Sequence, residues 1–235
     1  MEFRKRLGSG GFADVYEGMY EGHPVAIKKI KSCTKNPTAT LETFEAEANL
    51  PTLHDPNVIR IFTIIREPEK IIIMELVPDA RTLENLIDAE TDYAWRTYAR
   101  QLVSALIYLH RRHILYLDMK PSNILLTRDN VCKLIDFGCL QNAKKPTVSQ
   151  LQGTLAYRAP ELFHGQLPSS KADIYSLAIT LWSLKTQEAP YGGQNHFGIV
   201  YQVVSQRRRP AQDPDFDALW EIEPQRRPEA AQLSF

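Results

Sequence analysis

Cysteine is scarce, with three in 235 residues. Cys33, Cys132 and Cys139 show neither the even count of a disulfide framework nor the close His/Cys spacing of a zinc site. A disulfide-stapled secreted scaffold is excluded, and a reducing compartment, the cytoplasm, is the expected location. Long apolar runs are missing too. The hydrophobic stretches break well before the roughly 20 residues that a membrane-spanning helix needs, and no amino-terminal segment reads as a signal peptide. Net charge is absent, because 28 Lys+Arg balance 28 Asp+Glu. No nucleic-acid or membrane partner is therefore expected from the overall field. The runs Arg111-Arg112-His113 and Arg207-Arg208-Arg209 read as solvated surface, the first closing a helical pattern where cations favour the dipole. Repeats and low-complexity tracts are lacking as well. What remains is an ordinary globular composition, 43% hydrophobic and 24% charged, long enough for one large domain or two halves around a cleft.

Chemistry concentrates in one stretch. Tyr116-Leu117-Asp118-Met119-Lys120-Pro121-Ser122-Asn123 is followed, thirteen residues after the asparagine, by Asp136-Phe137-Gly138. An aspartate can orient a hydroxyl nucleophile, and a lysine can neutralise a moving phosphoryl group. An amide and a second carboxylate can hold a hard divalent cation. Upstream lies the glycine-rich Leu7-Gly8-Ser9-Gly10-Gly11-Phe12-Ala13-Asp14-Val15. Such a loop alone is weak evidence, since dinucleotide folds and plain turns use glycine too. A dinucleotide site would continue into a helix. Here Val15-Tyr16-Glu17-Gly18, a turn near Glu21-Gly22 and His23-Pro24-Val25-Ala26-Ile27-Lys28 predict strand, hairpin, strand. Side chains alternate along the second strand, so Ala26 and Lys28 share one face while Val25 and Ile27 share the other. A small apolar residue beside a lysine suits a flat base next to its phosphates. Lys29 points the opposite way, toward solvent.

The periodicities predict a helix over Leu41 to Leu50 stopped by Pro51, then strands over Val58 to Phe62 and Lys70 to Met74 with a turn around Pro68. Glu75-Leu76-Val77-Pro78-Asp79 reads as a linker, and the remainder as helical with loops. Trp95, Tyr98, Leu102, Leu106 and Leu109 follow the helical period, with Asp92 available as a cap. Ile174 to Leu184 is apolar almost all round, as in a buried central helix. A charge at its start, Asp173, should then be capping it or bonding nearby backbone.

Gly153-Thr154-Leu155-Ala156-Tyr157-Arg158-Ala159-Pro160-Glu161 and Asp173-Ile174-Tyr175-Ser176-Leu177-Ala178 complete an ordered set of motifs. With these the chain resembles the protein kinase family over nearly its whole length. The resemblance implies an α+β bilobal fold: a β-rich N-lobe with one helix at 1–75, a hinge at 76–80 and a larger, mainly helical C-lobe at 81–235. It implies ATP and Mg2+ as cofactors and a protein substrate. Asp118 would orient the substrate hydroxyl, Lys120 would touch the transferred phosphate, and Asn123 and Asp136 would ligate magnesium. Leu7, Gly8, Ser9, Gly10, Gly11, Phe12, Ala13 and Asp14 would cover the phosphates. Val15 and Ala26 would roof the adenine pocket, Leu125 would floor it and Met74 would stand at its back. Glu75 and Val77 would offer backbone groups to the adenine edge. Lys28 needs a carboxylate, Glu47 by its distance to Leu53-His54-Asp55-Pro56-Asn57, with Glu45 the runner-up. Asp173 would brace the catalytic loop, and Glu161 would pair with Arg227.

Lys120 and Thr154 resemble the serine/threonine branch. Leu117 stands where most regulated kinases carry an arginine that receives an activating phosphate, so phosphorylation of Thr147 or Ser149 is not expected to be required. Ala13 replaces the third glycine of the phosphate loop and restricts its backbone slightly. The Leu117-Asp118 pair, Cys139 directly after Asp136-Phe137-Gly138, and Lys171-Ala172-Asp173-Ile174-Tyr175-Ser176 with Ile179-Thr180-Leu181-Trp182 look like the Mos kinases. That resemblance implies an upstream kinase of a MAP kinase cascade, phosphorylating MAP kinase kinase in germ cells. Ser122, where many basic-directed kinases carry glutamate, disfavours an arginine-guided substrate. Competing readings are another MAP kinase kinase kinase branch, and a nucleotide-free scaffold on the same fold. Retention of Lys28, Asp118, Asn123 and Asp136 speaks against the scaffold.

Overall fold

Strands β1 (Glu2–Ser9), β2 (Ala13–Tyr20), β3 (His23–Ile30), β4 (Ile61–Ile65) and β5 (Ile71–Glu75) form one antiparallel sheet in the order β1-β2-β3-β5-β4. They belong to a computed structural model that describes residues 1–50, 52–89, 93–148, 153–192 and 194–235. Alternation along β3 divides its side chains between two apolar layers. Val25 and Ile27 join Ile71 and Ile73 on one face. Ala26 joins Met74 in the principal core on the other. The register sets Ala26 opposite Met74 and Val15 opposite Lys28, so these four side chains share the inner face.

Helix α1 spans Pro37–Ala48, four residues earlier at its start than the apolar pattern predicts. The Asn36 side chain accepts from Ala39 N at 3.1 Å, and Pro37 occupies the first turn, where its missing N–H costs nothing. Capping set the start, and Leu41 is left exposed. Pro51, the expected stop, lies outside the described residues. The strand expected from Val58 begins only at Ile61. Val58 instead bridges to Leu134, and Ile59 N bonds Leu134 O at 2.9 Å. One β-branched run thus serves two partners.

The rest is mainly helical: α2 (Leu83–Asp88), α3 (Trp95–Arg111), α4 (Pro160–Phe163), α5 (Ser170–Thr186) and α6 (His196–Val200), the last prolonged by a π turn over Tyr201–Ser205. In α3 the residues Tyr98, Leu102, Leu106 and Leu109 are buried. Asp92, its expected cap, lies outside the described residues. α5 buries every side chain from Ala172 to Leu184. No helix among the described residues is long and apolar enough to cross a membrane. Short strands β6 (Arg81–Thr82), β7 (Ile114–Leu115), β8 (Ile124–Leu126), β9 (Cys132–Leu134) and β10 (Gln141–Asn142) were not anticipated. They pair as β6-β8-β9 and β10-β7 and so clamp residues 116–123 between two ladders. Arg209 is not the solvated charge its sequence context implied. Its Nε donates to Trp220 O at 2.7 Å, and its guanidinium lies over the Tyr175 ring at 5.0 Å.

Candidate active site

Lys28 projects from β3 into the inner face and is buried. Its Nζ donates to Glu47 Oε2 at 2.6 Å and to Asp136 Oδ1 at 3.0 Å. Burial alone would lower the ammonium's pKa, but the carboxylates of Glu47 and Asp136 more than offset it and hold Lys28 charged. Lys28 in turn keeps the Asp136 carboxyl below its usual range. The winding of α1 decides between the two candidate glutamates. Glu47 shares the buried face with Phe44, while Glu45 turns outward and takes Arg66 at 3.0 Å. Glu47→Gln is therefore expected to lower kcat/KM for ATP by about 10–100-fold, the worth of one charge-assisted bond. Glu45→Gln should leave it unchanged. Steady-state kinetics of both variants decide, and the reverse pattern would refute the pairing.

The catalytic-loop segment runs between β7 and β8. Asp173, fully buried in the first turn of α5, accepts from Leu117 N at 2.7 Å, Tyr116 N at 3.0 Å and His110 Nε2 at 2.8 Å. Three donors compensate a charge that burial would otherwise penalise heavily. They also hold Leu117 in the left-handed region, φ 64°, which a branched side chain adopts only under constraint. His110 and Tyr116 were missed as supports. His110 follows Leu106 by one turn on the buried stripe of α3, a polar residue on an apolar face, and that was the available signal. The Tyr116 hydroxyl donates to Ile135 O, and its ring meets Phe137 edge-on at 5.6 Å.

Asp118, 9% exposed, is gripped on both oxygens. Oδ1 accepts from Thr154 N at 2.9 Å and from the Thr154 hydroxyl at 3.2 Å. Oδ2 accepts from Asn123 Nδ2 at 2.7 Å, with Lys120 Nζ at 2.9 Å. Lys120 Nζ also donates to Thr154 Oγ1 at 2.6 Å. This approach needs Gly153, whose φ is +73° and where a Cβ would lie 2.4 Å from Leu117 O.

Asn123 spends its amide nitrogen on Asp118 Oδ2 and, at 3.0 Å, on Asp118 O. That leaves its oxygen for a cation. Asp136 is half-exposed at φ 59°. Among the described residues no cluster of three or more His, Cys, Asp or Glu could hold a metal unaided. Two hard oxygen donors, leaving positions for water and phosphate oxygens, fit magnesium.

Around this centre, Val15, Ala26 and Met74 line the inner face of the sheet, and Leu125 in β8 is half-buried. The Glu75 N–H is committed to Arg60 O at 2.8 Å and is not free to meet an adenine edge. Leu7, Gly8 and Ser9 end β1, exposed. Gly10 N closes the loop on Ala13 O at 2.8 Å across Gly11 and Phe12. Asp14 turns away from the cleft, 3.5 Å from Lys31, and lines an outer cavity of about 650 Å³ with Tyr16, Lys29 and Cys33. Lys31 is a third residue missed: its Nζ donates to Gly10 O at 2.7 Å and Ser9 Oγ at 3.2 Å, which ties down the phosphate-loop backbone.

A β-sheet carrying a paired lysine, beside a loop with Asp118, Lys120 and Asn123 and a second carboxylate at Asp136, suits the chemistry of a phosphotransferase. The protein kinase domain family matches residues 1–234, and the chain belongs to that family. The chain is 40% identical over 228 residues to the proto-oncogene serine/threonine-protein kinase mos of Rattus norvegicus, covering 87% of this chain and 67% of the relative. It is 36% identical over 252 residues to the serine/threonine-protein kinase mos of Patiria pectinifera, covering 97% of this chain and 71% of the relative. It is a serine/threonine protein kinase similar to the Mos enzymes.

Proposed function

We propose that this kinase phosphorylates MAP kinase kinase, as an upstream activator of a MAP kinase cascade in the cytoplasm of germ cells. The observation that carries the catalytic part is Lys28 bonded at once to Glu47 and Asp136, beside an Asp118 already held by Thr154 and Asn123. In this reading Asp118 orients the substrate hydroxyl and takes its proton, while Lys120 steadies the charge that develops on the transferred group. Lys28 positions the ATP phosphates, with the loop from Leu7 to Asp14 closing over them. Asn123 and Asp136 would hold magnesium, which would supply positive charge beside the phosphates. Incubation with labelled ATP and catalytically dead MAP kinase kinase tests the assignment. Label on that protein is expected, and none with Asp118→Asn. Label on other proteins but not on MAP kinase kinase would move the chain to another branch.

The same reading makes the enzyme active without activation-loop phosphate. Leu117 is buried among apolar neighbours and offers no cation to a phosphate. Chain pairing holds the segment instead: β10 lies on β7, and Ala143 N bonds His113 O at 2.8 Å. Thr147 N donates to Gln141 Oε1 at 2.7 Å; Ser149 lies outside the described residues. Phosphatase treatment of recombinant enzyme should change kcat by less than about twofold, against the large losses of kinases that depend on an arginine–phosphate contact. A tenfold or larger loss would refute it.

A further inference from the structure

α6 and the π turn that prolongs it turn two aromatic side chains to water. Phe197 is 88% exposed, the most exposed large apolar side chain among the described residues, and Tyr201 is 58% exposed. Four residues apart, they lie on one helix face. The opposite face is packed, with Ile199 and Val203 buried beside Tyr191 against Ala156 and Phe163. Single exposed apolar residues are ordinary on any protein surface. A pair on one face with cations at its end is a different matter. Gln206 N bonds Tyr201 O at 3.0 Å and Arg208 N bonds Gln202 O at 2.9 Å, which draws Arg207 and Arg208 against the end of the helix. Both arginines are exposed, and neither holds an ion pair among the described residues.

Position supplies the second argument. The packed side of α6 rests on Ala156, two residues beyond Thr154, whose amide and hydroxyl hold Asp118. The patch therefore stands on the stretch of chain that frames the phosphoacceptor site. Charge argues against a second copy of the chain as occupant. The segment from Asn195 to Arg209 carries no Asp or Glu, so a second copy would bring the same two arginines and no acidic partner from this segment.

We infer that the outer face of α6, Phe197 and Tyr201 with Arg207 and Arg208 at its end, docks the protein substrate through an acidic segment that carries an apolar side chain. The inference rests on phosphorylation of protein hydroxyls at Asp118 and not on which protein is the substrate. Two synthetic substrates test it: a serine peptide alone, and the same peptide joined by a flexible Gly/Ser linker to a tail of glutamates around a phenylalanine. On the wild-type enzyme the tail should lower KM about tenfold with kcat unchanged, through effective concentration. Phe197→Ser with Tyr201→Ser, and Arg207→Glu with Arg208→Glu, should each abolish that advantage while kcat on the tail-less peptide stays the same. Fluorescence anisotropy of the labelled tail alone gives a readout independent of turnover. Binding to wild type should weaken with added salt and be lost in both double variants. Equal tail binding, or equal KM, across the three proteins would overturn the docking surface. So would a sedimenting wild-type dimer that the variants dissolve, since the face would then be a self-association interface. If no form phosphorylates either peptide, the kinase reading fails, and anisotropy still decides the docking.

Discussion

Replacing Asp118 with asparagine is expected to lower kcat by about 10²–10⁴-fold, the usual contribution of a positioned general base. Geometry makes the substitution more than a loss of charge. Both carboxylate oxygens of Asp118 accept hydrogen bonds, from Thr154 on one side and from Asn123 with Lys120 on the other. An asparagine must aim its NH₂ at one of those donors, so about 1–3 kcal/mol of stability should be lost as well. Urea unfolding measures that loss, and the folded fraction at assay temperature corrects kcat for it. Nucleotide affinity should stay within roughly threefold of wild type, because Lys28 and Glu47 bond each other and not Asp118. A collapsed kcat with retained ATP binding separates a catalytic role from a scaffolding one. Activity within threefold of wild type would remove Asp118 from the mechanism.

What could be read ahead of the coordinates was the part that local sequence encodes. Asp118, Lys120 and Asn123 sit within six residues, so one loop carries their geometry. Ala26 and Lys28 share a face because strands alternate. The limits appear where a contact joins distant segments. Asp173 was legible as a cap or backbone acceptor from its place at the head of an apolar helix, and as a brace of the catalytic loop only through the kinase resemblance; its partner His110 lies in another helix, and only packing brings the two to 2.8 Å. Lys31 grips the phosphate loop from the far end of a strand, in a pattern indistinguishable from a surface lysine. The two-residue strands β7 and β10 are too short for any periodicity to reveal. Even so, the early start of α1 was written in Asn36-Pro37, a cap and first-turn signal that the apolar pattern obscured. Arg209 was misjudged because a charge run looks solvated, while Tyr175 and the Trp220 carbonyl, both remote in sequence, bury part of it.

The same remoteness makes Arg227 the residue whose loss should cost the fold most. It is 1% exposed and all five of its N–H donors are used. Nη1 reaches Glu161 Oε1 at 2.6 Å and Lys171 O at 2.8 Å; Nη2 reaches Glu161 Oε2 at 2.7 Å and Ile222 O at 3.3 Å; Nε reaches Glu221 O at 2.8 Å. Its guanidinium also covers the Tyr175 ring at 5.0 Å. Arg227→Met keeps much of the volume but takes the arginine's donors from the Glu161 carboxylate and three carbonyls, so it should destabilise by about 3–5 kcal/mol in urea unfolding. Lysine is not a conservative replacement, since three donors on a point charge cannot serve four separate acceptor groups bidentately. Glu161→Met alone strands a buried cation and should cost a similar amount. The double change removes both charges together, and the pair should then be less destabilised than the two single losses summed. Activity should fall with the single variants, because Glu161 opens α4 immediately after the segment carrying Thr154. A cost below about 1 kcal/mol for Arg227→Met would mean that this ion pair does not anchor the segment to the helical core.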